Sequence, residues 1–472
     1  MNELLYLGFF LIYSIMILVL GKHGFDKTDH LKGYFLAGRN LSLFSSIASF
    51  GATWFSTASI LGLPGLIYEN GLSVIWTTAF AWLLGAVGLL FISSKMYTYE
   101  IVTVPEFFYV RYQSKLLQVA MGIILVISYM LYIFIQIRGF GIVVSEMLEI
   151  PYSISIFLIY LFVLYTTFGG LHSVARTDIF HFLLIIIGTT FGAVFIVKEI
   201  GGLTHLFQIV SDYEKENIIP QSYMNFFPDY GFSFWTLLSA FFTLGLGVAV
   251  NPQYIVRILS AKSKQVALQM IVLGFIFFVC IYILIFIIGI GSRVLEPNIY
   301  MDNSDEIYPY VISYLLQTPW KGLILVSVVA AAVSTANSQL LIMASSFVYD
   351  INRPLRRKQI SDQKKLSWTR WMIFLFATIS LFIAFTSQKG MVTFSGNIWG
   401  GLAVSLFFPL YGGVFTNRNK ESAIWSMFGG IITYGISFLF IPGEIQHIYH
   451  PVLPSMIVSG VLFFWKGGVK HV

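Results

Sequence analysis

Ser334 and Thr335 lie in the run Ala331-Ala-Val-Ser-Thr-Ala-Asn-Ser338, inside an apolar stretch long enough to cross a bilayer. On a helix, residues three and four positions apart share a face, so both hydroxyls gather where Ala331 sits one turn earlier. Uncharged oxygen dipoles suit a hard monovalent cation that must bind and then leave. If a second helix adds oxygens, the arrangement is a sodium site and the protein an ion-driven transporter. The competing reading is structural: Ala331, Ser334, Ser338 and Ser345 form a small-residue stripe of the kind that lets membrane helices pack closely.

Two charges add further chemistry. Asp178 opens an apolar run just after Arg176, and a carboxylate there is costly without a partner. It either lines an ion path or pairs with Arg176 at the inner water boundary. Arg138 falls within a span, in Tyr132-Ile-Phe-Ile-Gln136-Ile-Arg138-Gly. Tyr132 and Gln136 share a face, and Arg138 lies further round. Its fork can hold a solute carboxylate bidentately; equally, it can snorkel toward outer headgroups.

These residues need a scaffold, and composition names its class. Of 472 residues, 57% are hydrophobic and 11% charged, with mean hydropathy +0.80. A soluble chain carries about 25% charged residues. Thirteen apolar segments fall near 3–21, 41–67, 72–94, 117–146, 152–170, 177–199, 233–256, 266–290, 322–347, 366–388, 392–415, 422–441 and 451–465. With the amino terminus outside, 22 Lys and Arg fall on inner loops and 5 on outer ones: Lys198, Lys215, Arg293, Lys321 and Lys389. The positive-inside rule thus predicts amino terminus out and carboxyl terminus in. The net charge of +6 reports orientation in the bilayer, and nucleic acid is a poor partner for it. One cysteine, Cys280, excludes a disulfide framework or a thiolate metal cluster. No phosphate-cradling loop, His-Glu-x-x-His or Gly-x-Ser-x-Gly is present, so an enzyme is not expected. No obligate protein partner is evident.

Two segments are interrupted. The second contains Gly51 and Gly62-Leu-Pro64-Gly65; the seventh contains Gly245-Leu-Gly247 and ends at Asn251-Pro252-Gln253. Their offset of five is what a repeat of segments 2–6 as 7–11 would give, and an odd number of crossings inverts the second copy. Breaks at matching places in inverted halves point to a midplane binding site, where freed backbone groups coordinate ions and solute. Solute-pocket candidates at the breaks are Trp54, Ser56, Thr57 and Ser59 on the second segment, and Phe242 and Thr243 on the seventh. Phe394, Ser395 and Asn397 on the eleventh would close the pocket. With aromatic residues at 17%, any one ring also fits ordinary packing.

The chain resembles the sodium:solute symporter family. The similarity rests on Tyr34-Phe-Leu-Ala-Gly-Arg39, Gly62-Leu-Pro-Gly65, Gly169-Gly-Leu-His-Ser-Val-Ala-Arg-Thr-Asp178, Asn251-Pro-Gln-Tyr-Ile-Val-Arg257 with Ala261-Lys-Ser263, and Ala331–Leu341, in the family's order. The resemblance implies an all-α, LeuT-type 5+5 inverted-repeat fold: one polytopic domain over 1–472, an extra helix at 3–21, repeats at 41–199 and 233–415, and two further helices at 422–465. It implies a Na+ site made of the carbonyls of Ala52, Phe55 and Ala331 with the hydroxyls of Ser334 and Thr335. For some members the resemblance implies a second Na+ at the position of Asp178, with hydroxyls equivalent to Ser334 and Ser338. Asn337 stands where those members carry a hydroxyl, which leaves the stoichiometry open. Proline-transporting members have an aspartate where this chain has Trp54. The expected function is sodium-coupled import of a small organic solute, with a lean toward one bearing a carboxylate, by alternating access across the cell (plasma or inner) membrane. Proton coupling through Asp178, or a non-transporting membrane sensor, are the alternatives.

Overall fold

The computed structural model describes residues 2–25, 31–227, 233–299, 303–356, 361–385 and 390–465. Among them ten helices are long and apolar enough to cross a membrane, and an eleventh span is a bent pair, Leu43–Trp54 with Ala58–Ser73. Two shorter apolar helices, Tyr152–Phe168 and Val452–Trp465, hold 17 and 14 residues. At about 1.5 Å per residue these fall short of a 30 Å hydrocarbon core, so length alone does not make them spans. The thirteen apolar segments each correspond to one of these helices. Of the charges counted above, Lys27, Arg357, Lys358, Lys389, Lys466 and Lys470 lie outside the described residues.

Helix starts follow local chemistry. Ser42, Ser114, Ser233 and Ser263 each accept a backbone N–H three residues on, satisfying a donor the first turn leaves free. Asn251 caps the next helix, and Pro252 takes its first turn, where a missing N–H costs nothing.

The second segment is broken at residues 55–57, beside the Ala52 and Phe55 that the resemblance implies, while Gly62-Leu-Pro64-Gly65 lies within the helix that resumes. Its ladder ends with the Phe55 N–H on the Gly51 carbonyl; Phe55 is extended, and the chain resumes after a bend of 58°. The seventh segment is less bent. It runs Phe234–Ala240, through a wide turn at Phe241–Gly245, to Leu246–Ala249, and is interrupted at Asn251 before Pro252–Ser260. Backbone bonds join the inner ends of the two broken segments, Leu41 N–H to the Ser260 carbonyl at 3.1 Å and Lys262 N–H to the Leu41 carbonyl at 3.0 Å. Gly65 permits a close approach: a Cβ there would lie 2.1 Å from the Ser304 carbonyl oxygen.

The centre of the bundle is the ninth segment, Lys321–Ser345, in which Lys321, Gly322 and every residue from Ile324 to Ser345 are buried. It packs mainly on Gly170–Ile200 and Lys115–Leu148. A helix buried on all sides has no lipid-facing stripe, so its polar side chains must serve neighbours or a path.

Candidate functional site

Ser334 Oγ donates to the Ala52 carbonyl at 2.8 Å and lies 3.0 Å from the Ala331 carbonyl. Ala52 is the first residue whose carbonyl the broken ladder leaves free, and Phe55 is the last of that turn. Thr335 is fully buried, and its Oγ1 has no hydrogen-bond partner. The structure therefore brings Ala52, Ala331 and Ser334 together, with an unpaired hydroxyl beside them on the same helix. An unsatisfied buried hydroxyl costs about 1–3 kcal/mol, and a small cation that accepts oxygen ligands would relieve it.

Asp178 is buried but not against Arg176. Its Oδ2 accepts from Ser49 Oγ at 2.5 Å and from Arg257 Nη2 at 3.1 Å. The same Arg257 nitrogen donates to Ser338 Oγ at 2.6 Å and Thr53 Oγ1 at 3.0 Å. Arg257 is 1% exposed, so its place among the inner-loop cations needs correction: it is a core residue. A guanidinium here fills the space between Asp178 and Ser338 that a second sodium would need. Asn337 turns elsewhere, accepting from Thr166 Oγ1 at 2.7 Å and Thr167 Oγ1 at 3.1 Å. The second-sodium group of Asp178, Ser334, Asn337 and Ser338 is thus not assembled around an open space.

The solute candidates divide. Ser56, Thr57, Tyr132 and Gln136 converge at the break: Thr57 Oγ1 donates to Gln136 Oε1 at 3.0 Å, and Ser56 Oγ lies 3.4 Å from Tyr132 OH. Gln136 Nε2 is left without a partner. Tyr132 stacks on Trp399 at 5.4 Å. Ser59 turns back to the Ser56 carbonyl. Trp54 stacks on Phe278 at 4.5 Å and donates to Tyr282 OH at 2.8 Å. Phe394 packs edge-on against Phe134, and Phe242 against Phe241. Ser395 returns to the Val392 carbonyl. Thr243 and Asn397 instead line a cavity of about 680 Å³ with Glu69, Tyr223, His447 and His450. It lies at the end of the bundle that the charge count assigns to the outside.

Arg138 is 9% exposed and neither snorkels nor reaches that cavity. With the Asn303 amide oxygen turned toward it, Arg138 Nη2 donates at 2.8 Å, and Asn303 passes the bond to Asp305 Oδ2 at 3.0 Å. Asp305 also accepts from the Met391 N–H at 3.3 Å, and burial pushes its carboxyl up. This network ties the fourth segment to the loop that carries Asn303 and Asp305 and to the start of the eleventh.

Sequence reasoning missed Arg257, Asn303, Asp305, Trp399 and His450. Arg257 left a usable signal, because Tyr254-Ile-Val before it and Ile258-Leu after it make an apolar setting unlike a solvated loop. The others depend on pairings between distant segments.

A buried helix lending uncharged oxygens to a break in its neighbour, in a bundle with an open cavity at one end, fits a multi-pass secondary transporter. The profile of the sodium:solute symporter family matches residues 34–430, and the chain belongs to that family. A sodium/proline symporter of Staphylococcus aureus (strain JH9) is 25% identical, over 96% of this chain and 90% of the relative. Among solved structures, a Na+-coupled sialic acid symporter in a substrate-bound outward-open state superposes with TM-score 0.78 at 18% identity, covering 99% of both chains. A nucleobase-cation-symport-1 family transporter in a closed conformation gives TM-score 0.56 at 15% identity, over 92% of this chain and 94% of the other. The protein has the LeuT-type helical fold. It is a sodium-coupled solute symporter of the membrane, and not an enzyme.

Proposed function

We propose that one sodium ion binds between the carbonyls of Ala52, Phe55 and Ala331 and the hydroxyls of Ser334 and Thr335. It energises import of a small carboxylate-bearing solute through the 680 Å³ outer cavity. The observation that carries this reading is Ser334 Oγ bridging Ala52 and Ala331, one residue before the unpaired Thr335 Oγ1. A single ion is supported by the Arg257 guanidinium on Asp178, Thr53 and Ser338, which supplies a fixed positive charge where a second would sit. The carboxylate is supported by the solutes named for the relatives, proline and sialic acid, both of which carry one. Unsatisfied or cavity-lining donors suited to it are Gln136 Nε2 and the Asn397 amide. Arg138, spent on Asn303, is not required.

On this reading the amino terminus lies outside and the carboxyl terminus inside. Residues 41–199 and 233–415 form the inverted repeats, flanked by 3–21 and 422–465. External sodium orders the break in the second segment, solute closes the outer mouth, and the two are released inward. A membrane potential negative inside favours that direction by about 2.3 kcal/mol per charge per 100 mV. Coupling is reciprocal, so sodium and solute raise each other's affinity by the same factor.

The test is equilibrium binding of radioactive sodium to purified protein. Ser334→Ala with Thr335→Ala is expected to remove sodium binding, and with it the thermal stabilisation that sodium lends to a panel of amino acids, monocarboxylates and sialic acids. Binding at the wild-type level in that double variant would refute the assignment. Uptake persisting when choline replaces sodium at fixed pH would favour proton coupling.

A further inference from the structure

Besides Asn337 Nδ2, whose amide oxygen is held by Thr166 and Thr167, four residues of the ninth segment and its continuation Ser346–Asn352 carry buried side-chain atoms with no hydrogen-bond partner: Thr335 Oγ1, both amide atoms of Gln339, Ser346 Oγ and Asp350 Oδ2. Each residue is at most 1% exposed. Thr335, Gln339 and Ser346 are separated by four and seven positions, which at 3.6 residues per turn keeps them within about 40° of one another; Asp350 follows four positions on, in the wider turns of Ser346–Asn352. The stripe starts at the proposed sodium ligand Thr335 and runs about 22 Å to the inner end of the helix. No other helix among the described residues carries four such groups.

The far end is built. Asp350 Oδ1 accepts from Thr103 Oγ1 at 2.7 Å and from Gln118 Nε2 at 2.9 Å. Both bonds fall on one oxygen, so the carboxylate is held with the other free. A buried carboxylate oxygen without a donor is among the least tolerable groups in a membrane protein unless a cation visits it. Thr103, which holds Asp350, also bounds with Ser345 and Ser346 a small cavity of about 10 Å³, room for about one water. Arg257 and Ser338 close the other side of that cavity. There Ser338 is engaged by the Arg257 guanidinium, whose fixed charge would repel sodium passing from Ser334 toward Asp178.

We propose that the stripe Thr335, Gln339, Ser346, Asp350 is the inward release path for sodium, and that Asp350 Oδ2 with Ser346 Oγ forms a transient cation site at its end. The proposal rests on sodium binding at Thr335. Hydroxyl and amide oxygens offer successive weak sites, and the carboxylate draws the ion off the last of them. A multi-site path of this kind allows tight entry and rapid exit together.

The experiment uses full-length protein in liposomes, with Cys280→Ser removing the one native thiol. Ser346→Cys then places a single thiol on the path. A cationic methanethiosulfonate is expected to modify it about tenfold faster than an anionic one of similar size, the ratio that an attraction of about 1.4 kcal/mol gives. Sodium should slow the cationic reaction, and Asp350→Asn should remove the preference while keeping an oxygen for Thr103 and Gln118. Rates that ignore reagent charge, sodium and Asp350, or a thiol that never reacts, would overturn the path. Equilibrium sodium binding separates this failure from that of the parent reading: sodium binding that is lost in Ser334→Ala with Thr335→Ala, together with no charge preference at Ser346→Cys, overturns the path and leaves the parent reading standing. Wild-type binding in that double variant removes the starting point of the path, and the proposal with it.

Discussion

Arg257 carries more of the site's electrostatics than any ion ligand. One of its nitrogens reaches Asp178, Thr53 and Ser338 within 3.1 Å, so three segments meet on one guanidinium. Truncating one partner of such a pair leaves an uncompensated charge in a dry core, at a cost of about 3–5 kcal/mol. Arg257→Ala should therefore lower thermal stability sharply, and adding Asp178→Asn should restore much of it by removing the stranded carboxylate. Arg257→Lys keeps the charge but not the fork, so stability should fall between the two. The same series reads stoichiometry. If the guanidinium stands in for a second cation, Arg257→Gln with Asp178 intact should bind more radioactive sodium per protein than wild type. Unchanged sodium per protein in a folded Arg257→Gln variant would remove the argument for a fixed substitute charge.

Among the elements, the broken second segment does most to place the site, and much of it was legible. Gly51 and the Gly62-Leu-Pro64-Gly65 run predicted an interruption, but the break falls between them at residues 55–57, where no Gly or Pro stands; the Ser334–Thr335 pair marked the helix that faces it, a local pattern within one segment. Position along a segment was legible too. Pairing between segments was not: hydropathy treats each stretch alone, so Arg257 read as a loop cation near a helix end and Arg138 as a choice between solute and headgroup. Asn303 and Asp305 answer for Arg138, yet they come from a polar loop some 165 residues away, a distance no periodicity spans. The helix that follows the break also packs against that loop. A Cβ at Gly65 would meet the Ser304 carbonyl at 2.1 Å, whereas one at Gly62 would lie 3.2 Å from the Asp305 carboxylate. Backbone cannot yield as a side chain can, so Gly65→Ala should cost about 1–3 kcal/mol through overpacking and Gly62→Ala less. Melting temperatures ranked Gly62→Ala above Gly65→Ala are expected; the reverse order would mean that the loop does not rest on that helix.

At the scale of the molecule, the last two helices are fastened to the transport core through His450. Its Nδ1 accepts the Val452 N–H at 3.1 Å, which fixes the proton on Nε2, and Nε2 donates to Asn397 Oδ1 at 2.8 Å. The His450 N–H also reaches Ser239 Oγ at 3.3 Å on the seventh segment. The tautomer aims the Asn397 oxygen at the imidazole, leaving its NH2 as the group available to the outer cavity. Burial lowers the His450 pKa from 6.5 to about 4, and a second proton would also set an N–H against the Val452 N–H. The sign follows: the folded state resists protonation more than the unfolded chain does. Stability from this group is therefore whole above about pH 6.5 and lost progressively as pH falls toward 4, by up to about 3 kcal/mol. Melting temperature of the intact protein should fall across that window, and His450→Gln, which can still donate to Asn397 but cannot take up the proton, should flatten the fall. A variant that melts with the same pH profile as wild type would show that the two final helices are held to the core by other contacts.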